Sequence, residues 1–409
     1  MAAPQAVLIV GSGQGGCEVA AALRAGGHEG SVTIVGDEPG LPYERPPLSK
    51  ALLSGEIEPE QILLRPASFF RERGVELLSG AARQIDRVRR RVELDDGSSL
   101  PYDHLVLATG ARNRPLEVPG ANLDGVLALR TLGEALELRE RLAQAGPVAI
   151  VGAGFIGLEV ATAAAERNRD VTVLELAERP MTRTTCAATA AFFTRRHEQR
   201  GVSFTFNAAA VTLHGTRGSL SAVEDANGRR HPAELALIAI GIVPNDQLAA
   251  AAGLPVDRGI LVDEHLRTAD PAISAIGDCA RFPSPLWRSP VLLESVQNAS
   301  DQAHAVAGRL LGREQPYAAV PWFWSDQAGV RLQLAGRTAD AEEVVVTGDV
   351  DGARFSALCF SAGRLHGVES VGRPGDHVAA RRLLAAGSDL APAHAAAAGF
   401  ELNAHARAR

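Results

Sequence analysis

Two glycine-rich loops hold the residues of this sequence that are best suited to chemistry. The first, GSGQGG at 11–16, follows the apolar run Ala6–Val10, and the second, GAGFIG at 152–157, follows Val148–Val151. In such a loop one glycine allows a tight turn, the next lets backbone approach a pyrophosphate, and the last lets the following helix pack on the strand. The pattern predicts two dinucleotide-binding sites, with Gly11, Gly13, Gly15 and Gly16 in the first and Gly152, Gly154 and Gly157 in the second.

An acidic residue follows each loop at the end of the next apolar run. Asp37 comes after Val32–Val35, and Glu175 comes after the predicted strand Val171–Leu174 beyond the second loop. This spacing, about 20 residues beyond the glycines, brings a carboxylate to the ribose hydroxyls of a bound nucleotide. Glu175 would repel a 2′-phosphate, so it favours NADH over NADPH, although the nearby Arg179 and Arg183 weaken that preference.

The doubled motif sets the expected fold class and the number of cofactors. At 409 residues the chain exceeds the size at which one hydrophobic core keeps growing, so several domains are expected. Each strand, glycine loop and helix predicts an α/β domain with a doubly wound parallel sheet. Two such domains suit an enzyme that holds FAD permanently and binds NADH transiently, whereas a single-cofactor dehydrogenase needs only one.

Composition and charge argue against several other classes. The formal net charge of −7 gives no field that attracts nucleic acid. No apolar run approaches the roughly 18 residues of a membrane span, and no basic segment precedes the first apolar run, so we expect no membrane attachment and a cytoplasmic location. The four cysteines are too widely spaced for a zinc-ligand pattern or a CxxC pair and are expected to be buried, reduced thiols: Cys17, Cys186, Cys279 and Cys359.

Four further segments carry a family resemblance: LPYERPPLSK at 41–50, IGDCARF at 276–282, ESVQNA at 294–299 and PWFWSDQ at 321–327. With the doubled motif, they make the chain similar to the bacterial FAD-dependent ferredoxin reductases of the putidaredoxin reductase and biphenyl dioxygenase reductase type. The resemblance implies that electrons pass from NADH through FAD to a [2Fe-2S] ferredoxin. That ferredoxin would supply a cytochrome P450 or a Rieske-type oxygenase.

The resemblance also implies a division into three domains with a glutathione-reductase-like layout. An FAD-binding domain would comprise two segments, 1–113 and 240–312. An NADH-binding domain at 114–239 would be inserted between them, and an α+β C-terminal domain would occupy 313–409.

By the same resemblance, several residues would contact the phosphate and adenosine half of FAD. Gly15 and Asp37 would lie against the adenosine, and Arg83 would contact the adenine through its backbone. Arg130 would lie near the FAD phosphates or the flavin.

Other residues would lie around the flavin ring. The resemblance places Asp278 on the ribitol chain and Val296 against the isoalloxazine, although an Asp after Gly at a strand end is usually a turn residue. Lys50 and Glu159 would form an ion pair beside the flavin that orients the nicotinamide, with ordinary surface charge as the alternative. Trp324 would cover the ring, although aromatic clusters more often form core.

No cysteine lies in 43–50, where similar disulfide reductases carry redox cysteines. Without that thiol, transfer to a disulfide or a peroxide lacks its nucleophile, and a one-electron carrier is the expected acceptor. Two alternatives stay open, a monodehydroascorbate reductase-like enzyme and an NADH-responsive flavoprotein similar to apoptosis-inducing factor. Arg65, Arg71 and Arg73 are candidates for a local basic patch that attracts an acidic ferredoxin, or are ordinary solvated arginines.

Overall fold

Strands and helices alternate through most of the chain in the computed structural model, which describes residues 4–287 and 289–408. The strands of the first half are β1 (Ala6–Val10), β2 (Ser31–Gly36), β3 (Val75–Ser79), β4 (Ala82–Asp86), β5 (Arg91–Leu94), β6 (Ser99–Pro101), β7 (His104–Leu107), β8 (Ala111–Asn113), β9 (Val126–Leu127), β10 (Val148–Val151), β11 (Val171–Leu174) and β12 (Val202–Thr205). The later strands are β13 (Ala210–Thr216), β14 (Ser219–Asp225), β15 (Arg230–Pro232), β16 (Leu235–Ile238), β17 (Ile242–Pro244), β18 (Ile260–Leu261), β19 (Ile273–Ala275), β20 (Ala280–Phe282), β21 (Val291–Leu292), β22 (Trp322–Gln327), β23 (Val330–Gly336), β24 (Glu343–Asp349), β25 (Arg354–Ser361) and β26 (Arg364–Val371).

The α-helices of the described residues are α1 (Gln14–Ala25), α2 (Ala51–Ser54), α3 (Ala67–Glu72), α4 (Leu132–Gln144), α5 (Phe155–Glu166), α6 (Ala187–Glu198), α7 (Gln247–Ala251), α8 (Val296–Leu310), α9 (Pro374–Ala385), α10 (Pro392–Ala395) and α11 (Leu402–Arg407). The described residues also contain three short 3₁₀ helices, at Pro46–Ser49, Pro59–Ile62 and Gly277–Cys279. No helix of these ranges is long and apolar enough to cross a membrane.

The backbone packs into two compact units. The first contains residues up to Glu44, Pro59–Arg112 and Ile242–Pro321, and the second contains Arg45–Glu58, Asn113–Gly241 and residues from Trp322 onward. The segment Arg45–Glu58 therefore packs with the second unit, although it lies inside the range 1–113 that the resemblance assigns to FAD binding. The three-domain division stays a prediction.

The core of the first unit is a five-stranded parallel sheet in the order β19-β7-β1-β2-β3. Its central strand β1 is wholly apolar in sequence and buried except at Ala6, as expected of a parallel-sheet strand with both faces covered. α1 and α8 pack together and contribute Leu23 and Val306 to the core that also contains Ile9. The strand predicted at Ala6–Val10 is confirmed.

The second unit repeats this architecture. Its parallel sheet has the order β12-β11-β10-β16-β9, and its central strand β10 is buried along its whole length. α4 begins with a capping box in which Thr131 and Glu134 satisfy each other's backbone amides. The chain thus contains two doubly wound parallel sheets, as the doubled motif predicts.

The C-terminal part of the second unit is a five-stranded antiparallel sheet in the order β22-β23-β26-β25-β24. α9 packs on β26 and β23, and the inner strands β25 and β26 are buried over most of their length. This sheet and its helix confirm the α+β character expected of the C-terminal part.

Candidate active site

The first glycine loop is shaped by two glycines that no other residue could replace. Gly11 has φ +114°, and a Cβ on it would lie 2.1 Å from the carbonyl oxygen of Ala108. A Cβ on Gly16 would lie 1.9 Å from the carbonyl oxygen of Gly11, so its absence lets α1 pack directly against the loop. Gly15 is also close-packed, since a Cβ there would lie 3.1 Å from Ile276 Cδ1.

Gly13 differs from these neighbours because it faces open space. A Cβ on it would meet no atom within 4 Å, and Gly13 caps α1 without any side-chain hydrogen bond to the first helical amides. Free amides at a helix start bind anions, and an open position above them lets a diphosphate approach the backbone. The loop therefore fits the pyrophosphate of a dinucleotide, and its assignment to FAD stays a prediction.

The second loop has the same construction. Gly152 has φ +106°, and a Cβ on it would lie 2.4 Å from the carbonyl oxygen of Ala239, while a Cβ on Gly157 would lie 2.1 Å from the Gly152 oxygen. Gly154 caps α5 without a side-chain hydrogen bond and faces open space within 4 Å. This loop fits the pyrophosphate of a dinucleotide by the same argument, and its assignment to NADH stays a prediction.

The two acids that follow the loops differ in how they are held. Asp37 is exposed directly after β2. Glu175, directly after β11, is half-buried and accepts hydrogen bonds from the backbone amides of Ala153, at 2.7 Å, and Ala177, at 2.8 Å. Since Ala153 belongs to the glycine loop itself, the Glu175 carboxylate is fixed beside that loop.

Three residues assigned to FAD lie in the first unit with the first glycine loop. Arg83 is exposed on β4 at a point where the β4–β5 ladder shifts register, so its backbone lies at an irregularity of the ladder. Asp278 is half-buried in the 3₁₀ helix after β19. Val296 is the first residue of α8, which Ser295 caps through the amide of Asn298. Their contacts with FAD stay predictions.

Gln302 is a further polar residue in this region that the sequence analysis missed. Its Oε1 accepts a hydrogen bond from the Gly277 amide at 2.7 Å and so supports the turn before Asp278. Its Nε2 is buried and has no hydrogen-bond partner among the described residues. A buried amide that lacks a partner is costly, and a bound group could satisfy it.

Lys50 and Glu159 form an ion pair in the second unit. Lys50 Nζ lies 2.7 Å from Glu159 Oε2, and the Lys50 side chain is 20% exposed whereas that of Glu159 is 1% exposed. The pair predicted from the resemblance is therefore formed, and ordinary surface charge is wrong for Glu159. Its role beside a flavin stays a prediction.

Two serines that the sequence analysis did not single out complete this cluster. Ser49 donates to Glu159 Oε2, and Ser325 donates to Glu159 Oε1 at 2.6 Å. Burial raises the pKa of Glu159, while Lys50 and the hydroxyl groups act in the opposite direction. The carboxylate is thus held by three donors from two separate segments of the chain, Ser49 with Lys50 and Ser325 on β22.

Aromatic side chains of β22 gather on the second unit. Trp324 lies with its ring centroid 5.8 Å from Trp322, and Phe323 packs against Phe155, the first residue of α5, at 4.6 Å. The Arg381 guanidinium lies 4.7 Å from the Trp322 ring, a cation–π distance. Trp324 is partly exposed, so the residue is available to a ligand or partner.

Arg130 lies immediately before the capping box of α4. Its amide donates to Glu134 Oε2 at 2.7 Å, and Arg45 donates to its carbonyl oxygen. Arg130 belongs to the second unit, unlike the first glycine loop. Its proximity to the FAD phosphates or flavin stays a prediction.

None of the four cysteines is accessible, and all four are unpaired and buried. Burial raises the pKa of Cys17 to about 12 and also raises the pKa of Cys279, so neither thiol is activated by the neighbouring helix start. The expectation that the four thiols are buried is confirmed.

Comparison with known proteins agrees with the fold and the two loops. The family model described as pyridine nucleotide-disulphide oxidoreductase matches residues 5–303, and the model described as reductase C-terminal matches residues 322–406. The chain belongs to the pyridine nucleotide-disulphide oxidoreductases and, within them, to the ferredoxin reductases of the putidaredoxin reductase type.

Individual relatives cover nearly the whole chain. Rhodocoxin reductase of Rhodococcus erythropolis is 49% identical over 97% of this chain and 93% of its own length. Putidaredoxin reductase of Pseudomonas putida is 40% identical over 90% of this chain and 89% of its own. A crystal structure of a ferredoxin reductase for the CYP199A2 system of Rhodopseudomonas palustris is 44% identical, has a TM-score of 0.96 and covers 98% of this chain and 100% of that one. The family resemblance is confirmed, as are FAD and NAD(H) as the cofactors of the family.

Proposed function

We propose that this protein is a cytoplasmic, NADH-dependent flavoprotein reductase that transfers electrons through FAD to a [2Fe-2S] ferredoxin of an oxygenase system. The observation that carries the proposal is the pair of open glycine loops in a chain whose four cysteines are all buried. Such a chain can bind two dinucleotides but offers no accessible thiol to relay electrons to a disulfide. The acceptor is therefore a separate electron carrier, as the names of the relatives indicate for those proteins.

Several residues of the chain have roles in this reaction. When bound, FAD would supply the chemistry of hydride acceptance from NADH and of one-electron release, and the chain supplies the binding site and its electrostatics. Gly13 and Gly154 leave room for the two diphosphates, and Asp37 and Glu175 bind the ribose hydroxyls. Lys50, held by Glu159, supplies a fixed positive charge that acts by electrostatics and positioning rather than by proton transfer.

The coenzyme is NADH rather than NADPH. The amides of Ala153 and Ala177 hold the Glu175 carboxylate beside the loop, where it would repel a 2′-phosphate. Arg179, which could have attracted that phosphate, donates instead to the carbonyl oxygen of Thr185 at 2.9 Å. The preference for NADH that Glu175 gives is therefore not offset by this arginine.

The test is reduction of a panel of [2Fe-2S] ferredoxins by the FAD-loaded protein, with cytochrome c as the reporter. We expect rapid cytochrome c reduction that requires both NADH and a ferredoxin, and slow reduction with NADPH or without ferredoxin. If NADH bleaches the flavin but no ferredoxin of the panel accelerates electron flow, the proposal is wrong. Rapid turnover of ascorbyl radical, or binding of NADH with little turnover, would then favour the two alternatives.

A further inference from the structure

Two cysteines and a glutamate that are far apart in sequence meet inside the second unit. Cys186 precedes α6 as its N-cap, Cys359 lies on β25 and Glu369 on β26. Their relative exposures are 3%, 0% and 0%. The two Sγ atoms and a carboxylate oxygen all lie within 4.8 Å of one another.

The geometry of this Cys186–Cys359–Glu369 cluster is held by further hydrogen bonds. The Cys186 amide donates to Glu369 Oε1 at 2.7 Å, and Cys186 Sγ lies 3.2 Å from Glu369 Oε2. The hydroxyl of Thr189, one turn into α6, lies 3.6 Å from Cys186 Sγ and offers a further oxygen. Contacts of this kind orient the ligands of protein metal sites.

Among the described residues, no basic side chain forms a hydrogen bond or an ion pair with the cluster. Its hydrogen-bond partners are hydroxyl, amide and carbonyl groups. A cation that displaced the protons would supply the charge that the surrounding protein lacks.

We propose that Cys186, Cys359 and Glu369 form a binding site for one thiophilic divalent cation of the zinc class. Two thiolates and one carboxylate are ligands that zinc commonly uses, and thiolates select it against magnesium or calcium. With bonds of about 2.0–2.3 Å, tetrahedral ligand atoms lie roughly 3.3–3.8 Å apart, which the cluster allows. Binding releases the protons that the ligands still carry and involves no change of oxidation state.

The site would join the start of α6 to two inner strands of the C-terminal sheet. Since the cluster exists only in the folded chain, a bound cation stabilises the folded state by mass action. Because the cluster is buried, the cation has to enter while the chain folds. Cation binding at this cluster does not depend on the proposed electron transfer, and its test does not measure enzyme activity.

The experiment uses the full-length, FAD-loaded protein produced in cells with zinc added to the growth medium. We expect about one zinc ion per chain by elemental analysis, and two sulfur ligands at about 2.3 Å in the zinc X-ray absorption spectrum. Cys186→Ser, Cys359→Ser and Glu369→Gln should each lose most of the zinc. Cys17→Ala, which removes a buried thiol of the first unit, is the matched control and should retain it.

Three results would overturn the proposal. They are wild-type protein with far less than one zinc per chain, zinc whose ligands are oxygen and nitrogen alone, and unchanged zinc content in the two cysteine variants. A Cys186–Cys359 disulfide found by peptide mass spectrometry in the purified protein would also overturn it. If the variants fail to fold, the zinc content and absorption spectrum of the wild-type protein decide.

Discussion

Replacement of Lys50 by methionine tests the energetics of the ion pair in the second unit. Methionine keeps most of the volume of the lysine stem but removes the ammonium group that lies 2.7 Å from Glu159 Oε2. Glu159, with a side chain that is 1% exposed, then keeps only the hydroxyls of Ser49 and Ser325. An ion pair broken in this way leaves an uncompensated buried charge.

The expected loss is about 3 kcal/mol, the lower end of the range for breaking a buried ion pair, because Lys50 is partly exposed. For a cooperative unit of this size, that loss lowers Tm by roughly 6–12 °C. Glu159→Gln should cost less, since the amide can still accept from Lys50 and donate to Ser325, and Lys50 can reach water. The double variant should recover much of the stability that Lys50→Met loses.

The pH dependence of this loss follows from the pKa of Glu159. Burial raises that pKa above its ordinary 4.5, so the stability contributed by this group is complete below pH 4.5 and falls as the pH rises toward the folded-state pKa. Removal of Lys50 takes away a charge that lowers the pKa. Lys50→Met should therefore lose stability more steeply than wild type above pH 4.5, and Glu159→Gln should abolish that slope.

The assay is thermal unfolding of the four proteins at a series of pH values between about 4.5 and 8, with FAD loading matched. The reasoning is refuted if Lys50→Met unfolds within about 1 °C of wild type at neutral pH, or if Glu159→Gln in the same background gives no recovery. It is also refuted if the slopes of Tm against pH coincide.

Three further predictions concern coenzyme choice, the second glycine loop and acid stability. Glu175→Gln should raise the ratio of kcat/KM for NADPH to kcat/KM for NADH by about tenfold, because the repulsion between the carboxylate and the 2′-phosphate, about 1.4 kcal/mol, is removed. The ratio is measured by steady-state kinetics with a fixed ferredoxin. Gly154→Val fills the open space beside the loop and should weaken NADH binding by about tenfold or more in a stopped-flow titration while Tm changes little. Gly152 has φ +106°, and a Cβ on it would clash with the Ala239 oxygen, so Gly152→Ala should lower the free energy of unfolding by about 2 kcal/mol or more. Equal stability of the two glycine variants would contradict this. His104 is buried against Ser274, and this burial lowers the pKa of its ring to about 3. The stability that the neutral ring contributes is therefore present above pH 6.5 and is lost as the pH falls toward 3. His104→Gln should reduce acid sensitivity in that window, and an unchanged acid midpoint would contradict this.

The glycine loops and their sheets could be predicted because their signal is local. The strand, the turn and the helix that make each loop are consecutive in sequence, and the close contacts of Gly16 with the Gly11 oxygen and of Gly157 with the Gly152 oxygen lie within the loops themselves. The predicted strands at Val148–Val151 and Val171–Leu174 agree with β10 and β11 at both ends. Local pattern was sufficient for these elements.

The contacts made across the fold could not be predicted in this way. Lys50 and Glu159 are separated by 109 positions, and their pairing was expected only through the family resemblance. Ser325 is 166 positions from Glu159 and carries no pattern that marks it as a donor. Likewise, the spacing of Cys186 and Cys359 gave no sign of a cluster, because strand pairing in the C-terminal sheet and the position of α6 bring the two thiols together.

The two parallel sheets have the same spatial arrangement of strands, but one edge strand comes from a different part of the chain in each sheet. In the first sheet that strand is β19, which comes after the whole of the second sheet, whereas in the second it is β9, which comes before the rest. The corresponding glycines share their backbone angles and their contacts with Ala108 and Ala239. The second sheet is therefore complete within one continuous stretch of chain, 126–238, whereas the first sheet is completed only by a strand that follows that stretch.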